Sequence, residues 1–147
     1  MQLSDEDFTS LLALRTGLRR FLHWSEQQAR NAGLTPAQHQ LLLAVRGHSD
    51  PVGPTIGDVA DYLVLRHHSA SELVDRAVRA GLVTRSPDAD NASIVRVTLT
   101  PDGLERLTGL SAAHLEELTH LAPTMRALWR AIDRSDNAGA LKGAGSS

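Results

Sequence analysis

Between Gly81 and Pro101 the apolar residues stop recurring at helical spacing and begin to alternate, and few folds accommodate that switch. Leu82-Val83-Thr84-Arg85 and Ile94-Val95-Arg96-Val97-Thr98-Leu99 are rich in β-formers, the second with clear apolar–polar alternation. The eight residues between them, Ser86 to Ser93, are turn formers almost throughout. The pattern predicts a two-stranded hairpin with a long polar tip, set into an otherwise helical chain.

The flanking segments keep a helical period. Phe8, Leu11, Leu12, Leu14, Leu18, Phe21 and Leu22 predict a first helix over residues 8–32, closed by Gly33. A second helix starts at Leu34-Thr35-Pro36-Ala37-Gln38, where Thr35 can cap, Pro36 suits the first helical position and Gln38 completes a capping box. After a Gly/Pro-rich loop, Thr55 and Asp58 repeat that spacing at the head of a short third helix. Val64 to His67 reads as a tight turn, and a fourth helix follows to about Ala80, with Ala70, Leu73, Val74, Ala77 and Val78 inward. Beyond the hairpin, Thr100-Pro101-Asp102 opens a final helix whose stripe runs from Leu104 to Ile132. Pro123 predicts a break or kink in it, and the Gly/Ala/Ser-rich residues 135–147 are expected to be disordered. The fold class predicted is mainly α with a small β-hairpin: one domain over 1–134, in which 55–100 form a winged helix-turn-helix core.

Composition removes several classes of function. No apolar run approaches the ~18 residues of a membrane-crossing helix, and the acidic start is unlike a signal peptide, so a cytoplasmic protein that binds no membrane is expected. There is no cysteine, hence no disulfide, thiolate metal site or thiol switch. The net charge of −2 does not mark a nucleic-acid binder, so local pattern must carry any such case. A Gly-x-Ser-x-Gly elbow, a His-Glu-x-x-His pair and a phosphate-binding glycine loop are all missing, and catalysis is not expected.

Two short helices joined by a tight turn form a helix-turn-helix, whose second helix can enter a major groove, and the hairpin behind it is a wing. Apolar stripes remain on both terminal helices, over 5–32 and 101–134, and pairing with a second chain would bury them. Over about residues 8–134 the chain resembles the MarR family of DNA-binding transcriptional regulators. The stretches that carry the resemblance are Leu34 to Gln38, Ile56 to Leu63, Leu73-Val74-Asp75-Arg76, Ala80 to Arg85, and Val97 to Gly103, in that order. The resemblance implies a homodimer held by its terminal helices, with a groove-reading helix in each subunit and often a small-molecule effector pocket. It further implies a repressor on pseudo-palindromic double-stranded DNA, its reading helices about 34–36 Å apart.

Carried over by position, the DNA-binding candidates are Arg66, His67, His68, Ser69 and Ser71 at the start of the reading helix, with Arg85 and Arg96 on the wing strands. Arg76, beside Asp75, reads as an internal ion-pair residue. Arg15, Trp24 and His39 stand where a family ligand pocket would form, although each also suits packing. Two departures bear on DNA. Asp90 is followed by Asn91 and Ala92 where the family's wing tip usually has two arginines, and Glu72 occupies a reading-helix position that is usually basic or neutral. From Thr55 to Thr100 five arginines face six carboxylates, so weaker DNA binding than the family norm is expected.

His114 with Glu117, and Glu116 with His120, share helix faces, and His23 or His39 could add a third donor. Two ligands do not make a site, so no metal and no cofactor are assigned. Two further readings fit the same residues: a winged-helix dimer that has lost DNA binding and serves a protein partner, and a metal-sensing regulator.

Overall fold

A computed structural model describes the backbone of residues 2–143 and the side chains of residues 2–134. In chain order it contains α1 (Asp5–Asn31), α2 (Pro36–Gly47), α3 (Ile56–Leu63), α4 (His67–Arg79), β1 (Val83–Pro87), β2 (Val95–Leu99) and α5 (Pro101–Gly143). A mainly helical chain with one antiparallel hairpin is the class the sequence predicts. Two compact units emerge, the winged unit Glu26–Ala112 and a helical unit made from the two ends of the chain.

The winged unit is built by local signals that cooperate. At α2, Thr35 Oγ1 accepts from the Gln38 amide at 3.1 Å while Gln38 Oε1 accepts from the Thr35 amide at 3.0 Å. Thr55 and Asp58 make the same reciprocal pair at α3, both at 3.0 Å. Each such cap typically contributes ~1 kcal/mol. Thr100 Oγ1 accepts from the Gly103 amide at 3.0 Å ahead of α5, whose first residue is Pro101. Gly33 and Gly81 follow α1 and α4 at positive φ, as the sequence predicts.

Leu41, Leu42, Val59, Ala70, Val74, Ala77 and Val97 are sealed from solvent at the centre of this unit, with Leu82 and Val83 from the strand entry closing one side. The hairpin pairs Val83 with Leu99, Arg85 with Val97 and Pro87 with Val95. On its other edge β2 meets the loop before α3: the Val97 amide donates to Pro54 O at 3.0 Å, and Arg96 bridges to Thr55. This approach requires Gly53, whose φ is +97° and on which a Cβ would stand 2.2 Å from Val97 O. The wing is therefore fastened at Arg96 and Val97 to the loop that opens the helix-turn-helix.

The turn between α3 and α4 closes by a bond from the Leu65 amide to Ala60 O at 2.9 Å, with its left-handed residue at Val64 (φ 55°). Glycine is usual at such a position, because a β-branched side chain is strained there. Val64 is also 90% exposed, so packing does not offset the strain.

In the helical unit, Ser4 and Asp7 cap α1: the Ser4 amide donates to Asp7 Oδ2 at 2.8 Å and the Asp7 amide to Ser4 Oγ at 3.2 Å. Phe8, Leu11, Leu12, Leu18, Leu22, Leu115, Leu118 and Trp129 are exposed. The helix α5 runs unbroken through Pro123, where the sequence predicts a break or kink, and on past Arg134. A proline removes a single rung of the hydrogen-bond ladder, and the alanine- and leucine-rich sequence around it favours helix. The backbone is helical to Gly143, and the part of the expected disorder that falls on 144–147 lies outside the described residues.

Relief of the backbone strain at Val64 gives a stability test. Val64→Gly is expected to raise the unfolding free energy by about 1 kcal/mol in chemical denaturation, whereas Gly53→Ala lowers it by more than about 1 kcal/mol.

Candidate nucleic-acid interface

The helix α4 has the two-faced pattern of a groove reader. Ala70, Leu73, Val74 and Ala77 anchor one side in the core, while Arg66, His67, His68, Glu72, Arg76 and Arg79 are exposed on the other. Ser69 and Ser71 are half-buried near its start. Unlike α2 and α3, this helix has no side-chain cap: Arg66 is extended (φ −68°, ψ 152°) and makes no capping bond. The first-turn amides of α4 therefore lack a side-chain acceptor, beside an exposed guanidinium and two exposed imidazoles. Such an end, with its partial positive charge, is suited to a phosphate.

The wing arginines are placed differently. Arg85 on β1 forms an ion pair with Asp75 of α4, their side chains 33% and 45% exposed. Arg96 on β2 points back into the unit: its Nε donates to Asp88 Oδ1 at 3.0 Å and its Nη1 to Gly53 O at 3.2 Å. Its side chain is 20% exposed and that of Asp88 14%. The sequence assigns both arginines to the DNA backbone, but both guanidinium groups already hold acidic partners. Arg76 does not pair with its neighbour Asp75. It reaches Glu72 at 3.9 Å on the open face of the helix, where the i,i+4 geometry brings the two side chains together.

Asp88 also organises the wing tip. Its Oδ2 accepts from the amides of Asp90 and Asn91, each at 3.2 Å. The guanidinium of Arg96, followed by these amides, holds the Asp88 carboxyl below its usual value of 3.8 against the opposing effect of burial. The Asp58 carboxyl is also lowered, chiefly by the Thr55 amide it accepts from.

Sequence reasoning missed two features. His48 Nδ1 lies 2.8 Å from Tyr62 Oη and its Nε2 lies 3.9 Å from Asp58 Oδ2, which fastens the end of α2 to α3. Arg46 in the last turn of α2 is exposed and, like Arg66, forms no ion pair among the described residues. Helical spacing could have put Arg46 on the outer face, but His48 and Tyr62 meet only through tertiary packing.

Of the pocket candidates, Arg15 is exposed on α1. Trp24 packs edge-on against His114 at 4.8 Å between ring centroids and stacks on Phe21 at 6.0 Å. Both belong to the helical unit, while His39 is buried in the winged unit at 6% exposure. His114 also lies 2.6 Å from Ser25 Oγ through Nε2. Among the described residues no group of three or more His, Asp or Glu side chains could hold a metal ion. No helix among them is long and apolar enough to cross a membrane.

A capped short helix, a left-handed turn, a two-faced second helix and an antiparallel hairpin stitched behind them define a winged helix-turn-helix protein. The sequence model of the MarR family matches residues 32–92 of this chain.

None of the curated proteins matches the chain in sequence. Among solved structures it is similar to the MarR family transcription regulator SP03579, with a TM-score of 0.74 at 20% identity over 97% of this chain and 95% of that one. It is similar to MepR of Staphylococcus aureus in a MepR–DNA complex, with a TM-score of 0.68 at 17% identity over 97% and 99% of the two chains. BpsR of Bordetella bronchiseptica, whose DNA binding is regulated by 6-hydroxynicotinic acid, gives 0.62 at 22% identity over 93% and 98%. At these identities the likeness is one of fold.

The lowered carboxyls set an acid limit for the wing. A depressed folded pKa contributes stability that is complete above the unfolded value of 3.8 and is lost as pH falls through the folded value. Amide hydrogen exchange at residues 88–96, corrected for intrinsic rates, is therefore expected to lose protection as pH drops from about 5 to about 3. Asp88→Asn should flatten that dependence, and an unchanged profile would show that Asp88 does not hold the wing.

Proposed function

We propose that this chain is a sequence-specific, DNA-binding transcriptional regulator that works as a homodimer, with α4 as the reading helix. The observation that carries this reading is the start of α4: uncapped first-turn amides beside exposed Arg66, His67 and His68, on a helix whose opposite face is anchored in the core. A phosphate is the natural partner of such an end, and side chains just inside it can reach base edges. Arg66, His67, His68, Ser69 and Ser71 are the residues proposed to touch DNA first, with Arg85 and Arg96 as wing contacts once their acidic partners are displaced. A DNA complex in a protein of similar fold supports the reading.

The dimer is proposed from the helical unit. Its exposed apolar side chains on α1 and α5, from Phe8 and Leu12 to Leu118 and Trp129, are ones that a second copy would cover. Covering each of these leucines, already about half buried, would contribute about 1 kcal/mol. Two reading helices related by a two-fold axis would then meet a pseudo-palindromic operator in successive major grooves. Repression relieved by a small-molecule effector is the mode proposed, supported by the effector-regulated DNA binding of BpsR. A cytoplasmic location follows from that role.

Fluorescence anisotropy of the purified protein on its own upstream DNA and on a scrambled duplex, across a salt series, tests the reading. Tighter binding to the upstream DNA is expected, falling steeply with salt, and Arg66→Ala should flatten the log–log salt slope by about 0.9. Equal, feeble binding to both duplexes would defeat the DNA reading and favour a protein-binding module. In sedimentation, the wild type is expected to carry twice the 15.9 kDa chain mass. Leu12→Glu combined with Leu118→Glu should shift it to the monomer, and a wild-type monomer at micromolar concentration would remove the dimer.

A further inference from the structure

The wing carries two arginines and presents almost no free positive charge, because each is held by a carboxylate of the same unit. The two pairs differ in strength. Asp75 and Arg85 are both partly exposed and belong to different elements, α4 and β1, so water and salt can exchange for either partner. Arg96 has a second acceptor in Gly53 O, and Asp88 is itself held by two tip amides in a largely covered setting. A charge-assisted bond in such a frame is slower to give way.

We propose that Asp75 and Asp88 are positioning residues that latch Arg85 and Arg96 to the protein, so that a DNA phosphate must displace a carboxylate to reach either guanidinium. The inference rests on the DNA-binding reading and adds an internal competitor to it. Three observations converge. The strand arginines have acidic partners while Arg46 and Arg66 have none among the described residues. The wing tip lacks the two arginines that could make contact without release. Asp75 joins the wing to the reading helix itself, so opening its pair frees both surfaces that would face the duplex. The latches are graded: Arg85 is released first, and Arg96 only with rearrangement of the tip.

A carboxylate near DNA also repels phosphate directly, so a single substitution is ambiguous and a double-mutant cycle is required. Anisotropy on a fluorescent upstream duplex and on a scrambled one, each across a salt series, is read for wild type, Asp75→Asn, Arg85→Ala and the double variant. Asp75→Asn is expected to bind both duplexes about threefold more tightly at low salt, with the log–log slope steeper by about 0.9, as for one added phosphate contact. In the Arg85→Ala background the same change should have almost no effect. Asp88→Asn keeps an oxygen for the tip amides and should give a smaller gain that vanishes with Arg96→Ala. Thermal melts of each variant check that the fold is retained.

A gain from Asp75→Asn that persists undiminished without Arg85 would overturn the latch in favour of simple repulsion, and no gain at all would overturn both. In both cases wild-type binding leaves the regulator reading standing. If the wild type binds neither duplex at any salt, the reading and the latch fall together.

Discussion

The winged unit depends on one short stretch of backbone, Gly53 to Thr55. Here the loop before α3 runs along the free edge of β2, Pro54 O takes the Val97 amide, and Gly53 O takes the Arg96 guanidinium. A two-stranded hairpin is barely stable alone in water, and this third line of hydrogen bonds gives it a frame. Thr55 closes the line and at the same place caps α3 with Asp58. The junction thus serves the wing and the helix-turn-helix together. It tolerates no side chain at residue 53 because the two backbones approach within contact of one missing methyl group.

Much of this was legible in the chain because the signals are local. Thr35 with Gln38 and Thr55 with Asp58 announce their helices by spacing alone, and both capping boxes form as the spacing predicts. The hairpin was legible from its change of period, and its strands lie within a residue or two of the expected ones. Glycines 33 and 81 end their helices for the same local reason. Pro123 misled because a proline weakens a helix without having to end it, and the continuing backbone hydrogen bonds lie outside any one-residue rule.

The ion pairs were not legible, and the reason is geometric. Asp75 and Arg76 are neighbours in sequence and point in different directions around a helix, so adjacency said nothing about pairing. Asp75 finds Arg85 ten residues on only because the hairpin returns β1 to α4. Asp88 and Arg96 meet across a turn whose register depends on the tip closing around the Asp88 carboxylate. Charge counts on the linear chain indicated a near-neutral region, and the structure shows how part of that charge is arranged: each wing arginine is held by a carboxylate, while Arg46 and Arg66 form no ion pair among the described residues.

The bare N-terminus of α4 has a thermodynamic consequence. Helices α2 and α3 enter any complex with their first turns already closed by their own side chains, whereas α4 does not. In water its first-turn amides have solvent as their acceptors. A phosphate seated there would act as the missing cap, so its binding would also order the first turn of α4. Association of that kind carries an ordering entropy and a heat-capacity change beyond those of two rigid surfaces meeting. Discrimination between duplexes would then depend partly on how well each lets the helix finish forming.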